Sequence, residues 1–165
     1  VDDAVDVVER CPSGALTYLR KDGGPAEAAA ERNVVTVVYN GPLYVRGDLQ
    51  IAGGENSTGV RYRAALCRCG ESKNKPFCDN SHERVDFRDS GAVGSRGDVL
   101  EAEGGALEIK AVPNGPLIAS GNLTIAAASG REAWSGTSAA LCRCGASENK
   151  PFCDGSHKRV GFEAD

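Results

Sequence analysis

A stretch that occurs twice constrains the fold more than any other part of the chain. It runs from Cys67-Arg68-Cys69-Gly70 through Lys75-Pro76-Phe77-Cys78-Asp79-Asn80-Ser81-His82, and again from Cys142-Arg143-Cys144-Gly145 through Lys150-Pro151-Phe152-Cys153-Asp154-Gly155-Ser156-His157. Six of the seven cysteines and both histidines fall inside the two copies, each time in the spacing C-x-C-x8-C-x3-H. Three soft thiolates and one imidazole are the donor set of a metal site. Whatever fold the chain takes must bring these four side chains together twice.

A secreted disulfide framework is the competing use of cysteine. The count is odd, however, and C-x-C pairs are poorly placed to bond to each other, so ligation is the better reading. At 165 residues the chain has room for one medium domain or two small ones. Aromatic residues make up only 5%, which predicts a modest apolar core that bound metal helps to hold. A formal charge of −4 argues against a nucleic-acid surface and against an anionic membrane. No apolar run approaches the ~18 residues needed to span a bilayer. The opening VDDAVDVVER lacks the basic start and apolar stretch of a signal peptide. The expected location is therefore the cytoplasm, of a bacterium ahead of the mitochondrial matrix. Methionine is absent even at position 1, so the chain is expected to be processed or cut from a longer one.

Along the chain, residues 1–33 stand apart from the repeat. Cys11-Pro12-Ser13-Gly14-Ala15-Leu16 resembles the tail of a bacterial ferredoxin ligand run, but one cysteine cannot hold a cluster, and an inert thiol is the plainer reading. Arg20 to Asn33 reads as a linker with one helical turn over residues 26–32. Val34 to Tyr39 is a β-branched run ended by Asn40-Gly41-Pro42, which predicts a strand and a turn. Leu43 to Ile51 predicts two short strands around a turn at Gly47-Asp48. That block returns at Asn114 to Ile125 with seven of twelve positions identical, and Ala64 to Phe87 returns at Ala139 to Phe162 with nineteen of twenty-four identical. A period this long is a duplicated module rather than a solenoid unit. Arg88 to Ala106 is glycine-rich and polar and reads as a connection. The division is then an N-terminal segment (1–33), a first module (34–91), and a linker with the second module (92–165). The fold class is mainly β with short helices, each module running strand, turn, strands, ligand loop and short helix.

Residues two apart on an extended chain point to the same side, so Cys67 with Cys69, and Cys142 with Cys144, can grip one metal atom. Residues four apart on a helix share a face, so Cys78 with His82, and Cys153 with His157, can grip a second. Two pairs of donors around two metals suit a [2Fe–2S] cluster. Gly70 and Gly145 are read as letting the backbone pass close to the inorganic core, Pro76 and Pro151 as helix starts, and the following phenylalanines as shields against water. Asp79 and Asp154 are read as helix caps. Asn80 replaces Gly155 in the first copy, and asparagine tolerates the left-handed backbone that glycine would supply. Arg68, Lys75, Arg143 and Lys150 either offset cluster charge or are solvated surface charges.

The stretch C-x-C-x2-S-x3-P-x-C-D-G-S-H, complete in the second copy and altered only at Asn80 in the first, resembles the CDGSH iron–sulfur domain of the NEET (mitoNEET-like) family. The resemblance implies two [2Fe–2S] clusters, held by Cys67, Cys69, Cys78 and His82 and by Cys142, Cys144, Cys153 and His157. It also implies a β-cap built by tandem modules about an internal pseudo-twofold axis, a monomer standing in for the family's homodimer. CPSGAL resembles bacterial relatives with an appended ferredoxin-like segment.

Three thiolates and a neutral imidazole leave an oxidised cluster less negative than four thiolates do, so it should reduce at a higher potential than a plant-type ferredoxin. Protons compete with iron for the imidazole lone pair, so acid should loosen it. The expected function is one-electron transfer, with possible cluster transfer, to a redox partner or an apo-acceptor protein. A sensor that responds by cluster loss and a structural Cys3His zinc protein are the alternatives; zinc sites usually open with wider cysteine spacing. No nucleophile with a base and no phosphate loop is found, so no enzyme is expected. Ser72, Ser81, Ser147 and Ser156 are assigned to turns and helix starts, and Trp134 to a strand.

Overall fold

The computed structural model describes residues 1–55 and 59–165, and its architecture is mainly β with a few short helices. Seven strands, β1 (Val34–Val37), β2 (Leu43–Arg46), β3 (Asp48–Ile51), β4 (Arg63–Leu66), β5 (Ala106–Ala111), β6 (Leu117–Ala126) and β7 (Glu132–Leu141), form one sheet in the order β3-β5-β6-β1-β2-β4, with β7 on the free side of β6. The α-helices among the described residues are α1 (Asp2–Glu9) and two single turns, α2 (Ser81–Arg84) and α3 (Ser156–Arg159), and a short 3-10 turn covers Gly59–Arg61.

Apolar residues alternate along the strands, as a sheet with one wet face requires. Val35 and Val37 on β1, Leu43 and Val45 on β2, and Leu49 and Ile51 on β3 all point into one core with Leu107, Ile109, Leu117 and Ile125. The turn expected at Gly47-Asp48 is absent. Gly47 merely bends the chain, so β2 and β3 continue one another while pairing with different neighbours, β2 with β1 and β3 with β5. The same path therefore sits near both ends of the strand order, and the sheet nearly closes on itself. A Cβ at Gly47 would collide with Oδ1 of Asn33, which accepts from the Asp48 N–H at 3.0 Å. Buried Asn33 also donates to the carbonyls of Gly105 and Asn122, both at 2.9 Å, so its amide ties the starts of β3 and β5 to the middle of β6 with its hydrogen bonds satisfied.

Strands from distant parts of the sequence alternate. β1 runs parallel to the far half of β6, Val34 opposite Thr124, and β3 runs parallel to β5, Gln50 opposite Glu108. Arg88 to Ala106 does more than connect: Val93 is buried in the core, and Ser135 N–H donates to the Arg96 carbonyl at 3.1 Å.

Residues 1–33 depart from expectation. The helix lies at Asp2–Glu9, and the stretch 26–32 is irregular because Glu27 is drawn to Arg63. Arg63 is 2% exposed and donates to the Val8, Cys11 and Leu16 carbonyls as well as to the Glu27 carboxylate. This one guanidinium fastens the N-terminal segment to the sheet. Arg63→Met leaves Glu27 unpaired and is expected to cost on the order of 3 kcal/mol. Limited proteolysis should then trim residues 1–33 much faster while the remaining fragment stays folded. Equal protection in variant and parent would refute the fastening role. No helix of the described residues is long and apolar enough to cross a membrane.

Candidate metal centre

Both ligand loops are closed by the strand that precedes them. Cys67 N–H donates to the Pro76 carbonyl and Cys78 N–H to the Ala65 carbonyl, each at 2.8 Å, so the loop leaves β4 and returns alongside it. Cys142 to Pro151 and Cys153 to Ala140 repeat both distances. Inside the turn, buried Ser72 donates to the Phe77 carbonyl at 2.6 Å and Ser147 donates to the Phe152 carbonyl at 2.6 Å. These serines serve the turn, as expected. Pro76 and Pro151, each after a cis peptide bond, lie in this returning turn rather than at a helix start. Phe77 and Phe152 pack on the apolar core, Phe152 with its ring 5.5 Å from that of Trp134 on β7, instead of screening the cysteines.

Beyond the third cysteine, Asn80 (φ 67°) and Gly155 (φ 84°) both adopt the left-handed backbone, so the exchange between copies preserves the turn. Asp79 and Asp154 accept from the N–H groups of Ser81 and Ser156, the first of each helical turn. Each also reaches back to the loop, to the N–H of Lys73 and of Glu148 at 2.9 Å. These hydrogen bonds, led by those from the Ser81 and Ser156 side chains, hold both carboxyls well below the usual range.

The expected donors converge as two pairs in each copy. Sγ of Cys67 lies 3.7 Å from Sγ of Cys69, and Sγ of Cys78 lies 3.5 Å from Nδ1 of His82. Cys142 with Cys144, and Cys153 with His157, repeat these distances. The cysteine–histidine pair does not run along a helix, since α2 and α3 begin only at the serine; the left-handed residue folds the cysteine back over the turn. Each set lines one small, tight cavity. Two separated pairs around one small cavity fit a binuclear iron–sulfur core.

Electrostatics fit the same core. A hydrogen bond from Cys69 draws the Cys67 thiol down to about 6 while Cys69 itself is pushed up, and burial raises Cys78 and Cys144. The raised thiols lose their protons most readily when a metal cation takes the proton's place. Four backbone N–H groups already point at sulfur, Glu71 to Cys69 at 3.5 Å and Asn80 to Cys78, Ala146 to Cys144 and Gly155 to Cys153 each at 3.4 Å. Such bonds stabilise thiolate charge. The sequence carries no sign of them, because every residue has an N–H.

Arg68 and Arg143 are not surface charges. Each is 1% exposed, lines its cavity, and donates to carbonyls across the site, Arg68 to Gly41 and Val38 and Arg143 to Gly115, Val112 and Ala164. Each also sits over an aromatic ring, Phe87 at 4.9 Å and Phe162 at 5.1 Å. Gly70 and Gly145 are confined by protein rather than by an inorganic core. A Cβ on Gly70 would lie 2.6 Å from the Cys144 carbonyl oxygen, and one on Gly145 would lie 2.6 Å from that of Cys69, so the two ligand loops abut. Cys11 lies outside both sites, hydrogen-bonded to Ser13 at 3.4 Å, which lowers its thiol to about 7.

Two segments, residues 40–83 and 114–158, match the family model described as iron-binding zinc finger, CDGSH type, and together they cover more than half of the chain. No curated protein matches the chain.

Proposed function

The chain belongs to the CDGSH-type family of iron-binding zinc fingers, and from that premise we propose that it carries two [2Fe–2S] clusters and works as a one-electron carrier for a redox partner or an apo-acceptor protein. Cys67, Cys69, Cys78 and His82 hold the first cluster, and Cys142, Cys144, Cys153 and His157 hold the second. The observation that carries this reading is the arrangement of donors as two pairs around one small cavity, repeated in both motifs. When bound, the cluster supplies a one-electron couple at iron.

The protein's own residues prepare the site for that couple. Backbone N–H groups donate to sulfur and disperse thiolate charge. Buried guanidinium groups oppose the remaining negative charge. His82 and His157, partly exposed on single-turn helices, leave within reach of water the ligand whose lone pair protons claim most readily. An internal pseudo-twofold arrangement of the two modules is part of the proposal. It is supported by the matching parallel registers, Val34 with Thr124 and Gln50 with Glu108, and by the reciprocal approach of Gly70 to Cys144 and Gly145 to Cys69.

The test is elemental analysis with electron paramagnetic resonance on protein purified without oxygen. About four iron and four acid-labile sulfide per chain, with a rhombic signal on reduction, are expected for two such clusters. Colourless protein with stoichiometric zinc and no sulfide would replace this reading with a structural zinc site.

A further inference from the structure

The two motifs differ at one buried charge. Arg68 donates from Nη1 to the carboxylate of Asp89 at 2.6 Å, an ion pair whose arginine is 1% exposed. The second motif has Ala164 in the place of Asp89, and the surrounding backbone bonds are the same. Asn40 N–H donates to the Asp89 carbonyl at 2.9 Å, Asn114 N–H donates to that of Ala164 at 2.7 Å, and the return bonds to the asparagine Oδ1 are 2.8 and 2.9 Å. The carboxylate is missing, and in its place Nη2 of Arg143 reaches the Ala164 carbonyl, at 3.2 Å. Among the described residues Nη1 of Arg143 is the one buried side-chain nitrogen or oxygen without a hydrogen-bond partner.

We propose that this difference makes the two sites unequal electron acceptors, with Arg143 drawing the first electron to the site of Cys142, Cys144, Cys153 and His157. At the first site the guanidinium charge is largely cancelled by Asp89; at the second, whose cavity Arg143 lines, no carboxylate bonds it, and only the more distant charges of Asp165 and of Cys67 across the seam act on it, in surroundings that screen it weakly. Exposed differences between the copies partly cancel. Glu71 against Ala146, Glu83 against Lys158 and Asp86 against Gly161 favour the same order, while Lys73 against Glu148, Arg88 against Glu163 and Ser90 against Asp165 oppose it, and all are screened by solvent and salt. The buried pair therefore decides. Chemically, a one-electron donor such as the sulfur dioxide radical anion from dithionite is oxidised to sulfur dioxide. One ferric ion at the second site becomes ferrous, with no bond made or broken. The inference rests on the two-cluster reading.

Redox titration of the whole loaded chain, followed by visible absorption and electron paramagnetic resonance, tests it. The titration is expected to be broader than one one-electron curve and to fit as two one-electron waves, with the second site favoured about tenfold at half reduction, which corresponds to about 59 mV. Because the loops abut, spin–spin broadening should appear only with the second electron. Ala164→Asp should lower the upper wave, and Asp89→Asn, which keeps the side-chain shape, should raise the lower one, so either variant narrows the gap. A single wave in the parent, or Ala164→Asp acting on the lower wave or on neither, overturns the inference while two clusters remain. Absence of sulfide and visible absorption sinks the cluster reading itself.

Discussion

Alanine at position 70 is expected to labilise both metal sites at once. Gly70 has φ 87°, a region that costs a residue with a side chain about 1–2 kcal/mol. Its added methyl would also meet the Cys144 carbonyl oxygen at 2.6 Å and carbon at 3.0 Å, both main-chain atoms that cannot swing aside. The chain would have to move the second loop, in which Cys144 is a donor, to accommodate a change in the first. Gly145→Ala should do the reverse through Cys69. Taken together, strain and collision should shorten the life of the visible absorption at each site on the order of tenfold or more. Gly155→Asn is the contrast, since φ is 84° but open space surrounds the position and the first motif already carries Asn80 there. That variant should decay at the parent rate. Loss confined to the substituted motif would mean that the two loops do not support one another.

The gathering of three cysteines and one histidine in each motif was legible because their spacing survives in both copies, and so were the left-handed turn at Asn80 and Gly155 and the turn serines. Those features depend on residues close in sequence, where backbone preference and hydrogen-bond reach act directly. What escaped depends on contacts between distant segments. Nothing in Val34–Val37 says that its neighbour is Thr124–Ala126, because a parallel pairing across ninety positions leaves no local mark. Gly47 reads as a turn residue, yet it serves as a bend because Asn33 occupies the space beside it. Residues 26–32 favour a helix by composition, but the carboxylate of Glu27 does more for stability at Arg63 than one isolated helical turn can. Arg68 and Arg143 look like surface charges until the carbonyls of Gly41 and Gly115 are seen across the site. The importance of Asp89 could have been suspected earlier, since aligning the copies through Phe87 and Phe162 sets it against Ala164.

Replacing His82 and His157 by cysteine should lower the reduction potentials by on the order of 100 mV or more, the direction in which all-cysteine ligation lies from histidine-containing centres. Each substitution adds one negative charge to its site, which opposes electron uptake, and removes the ligand whose lone pair protons claim most readily. The variant should therefore also survive mild acid longer. The geometry allows the exchange, since Nδ1 of each histidine lies 3.5 Å from a cysteine sulfur at a partly exposed position where a shorter side chain meets little packing. The two readouts separate a ligand from a neighbour. A nearby histidine that merely carried charge could shift the potential, but its loss would not prolong the cluster at low pH, because the bond that acid breaks would be untouched. If potentials stay put and acid decay keeps its rate, His82 and His157 are bystanders and the fourth donor must be sought elsewhere.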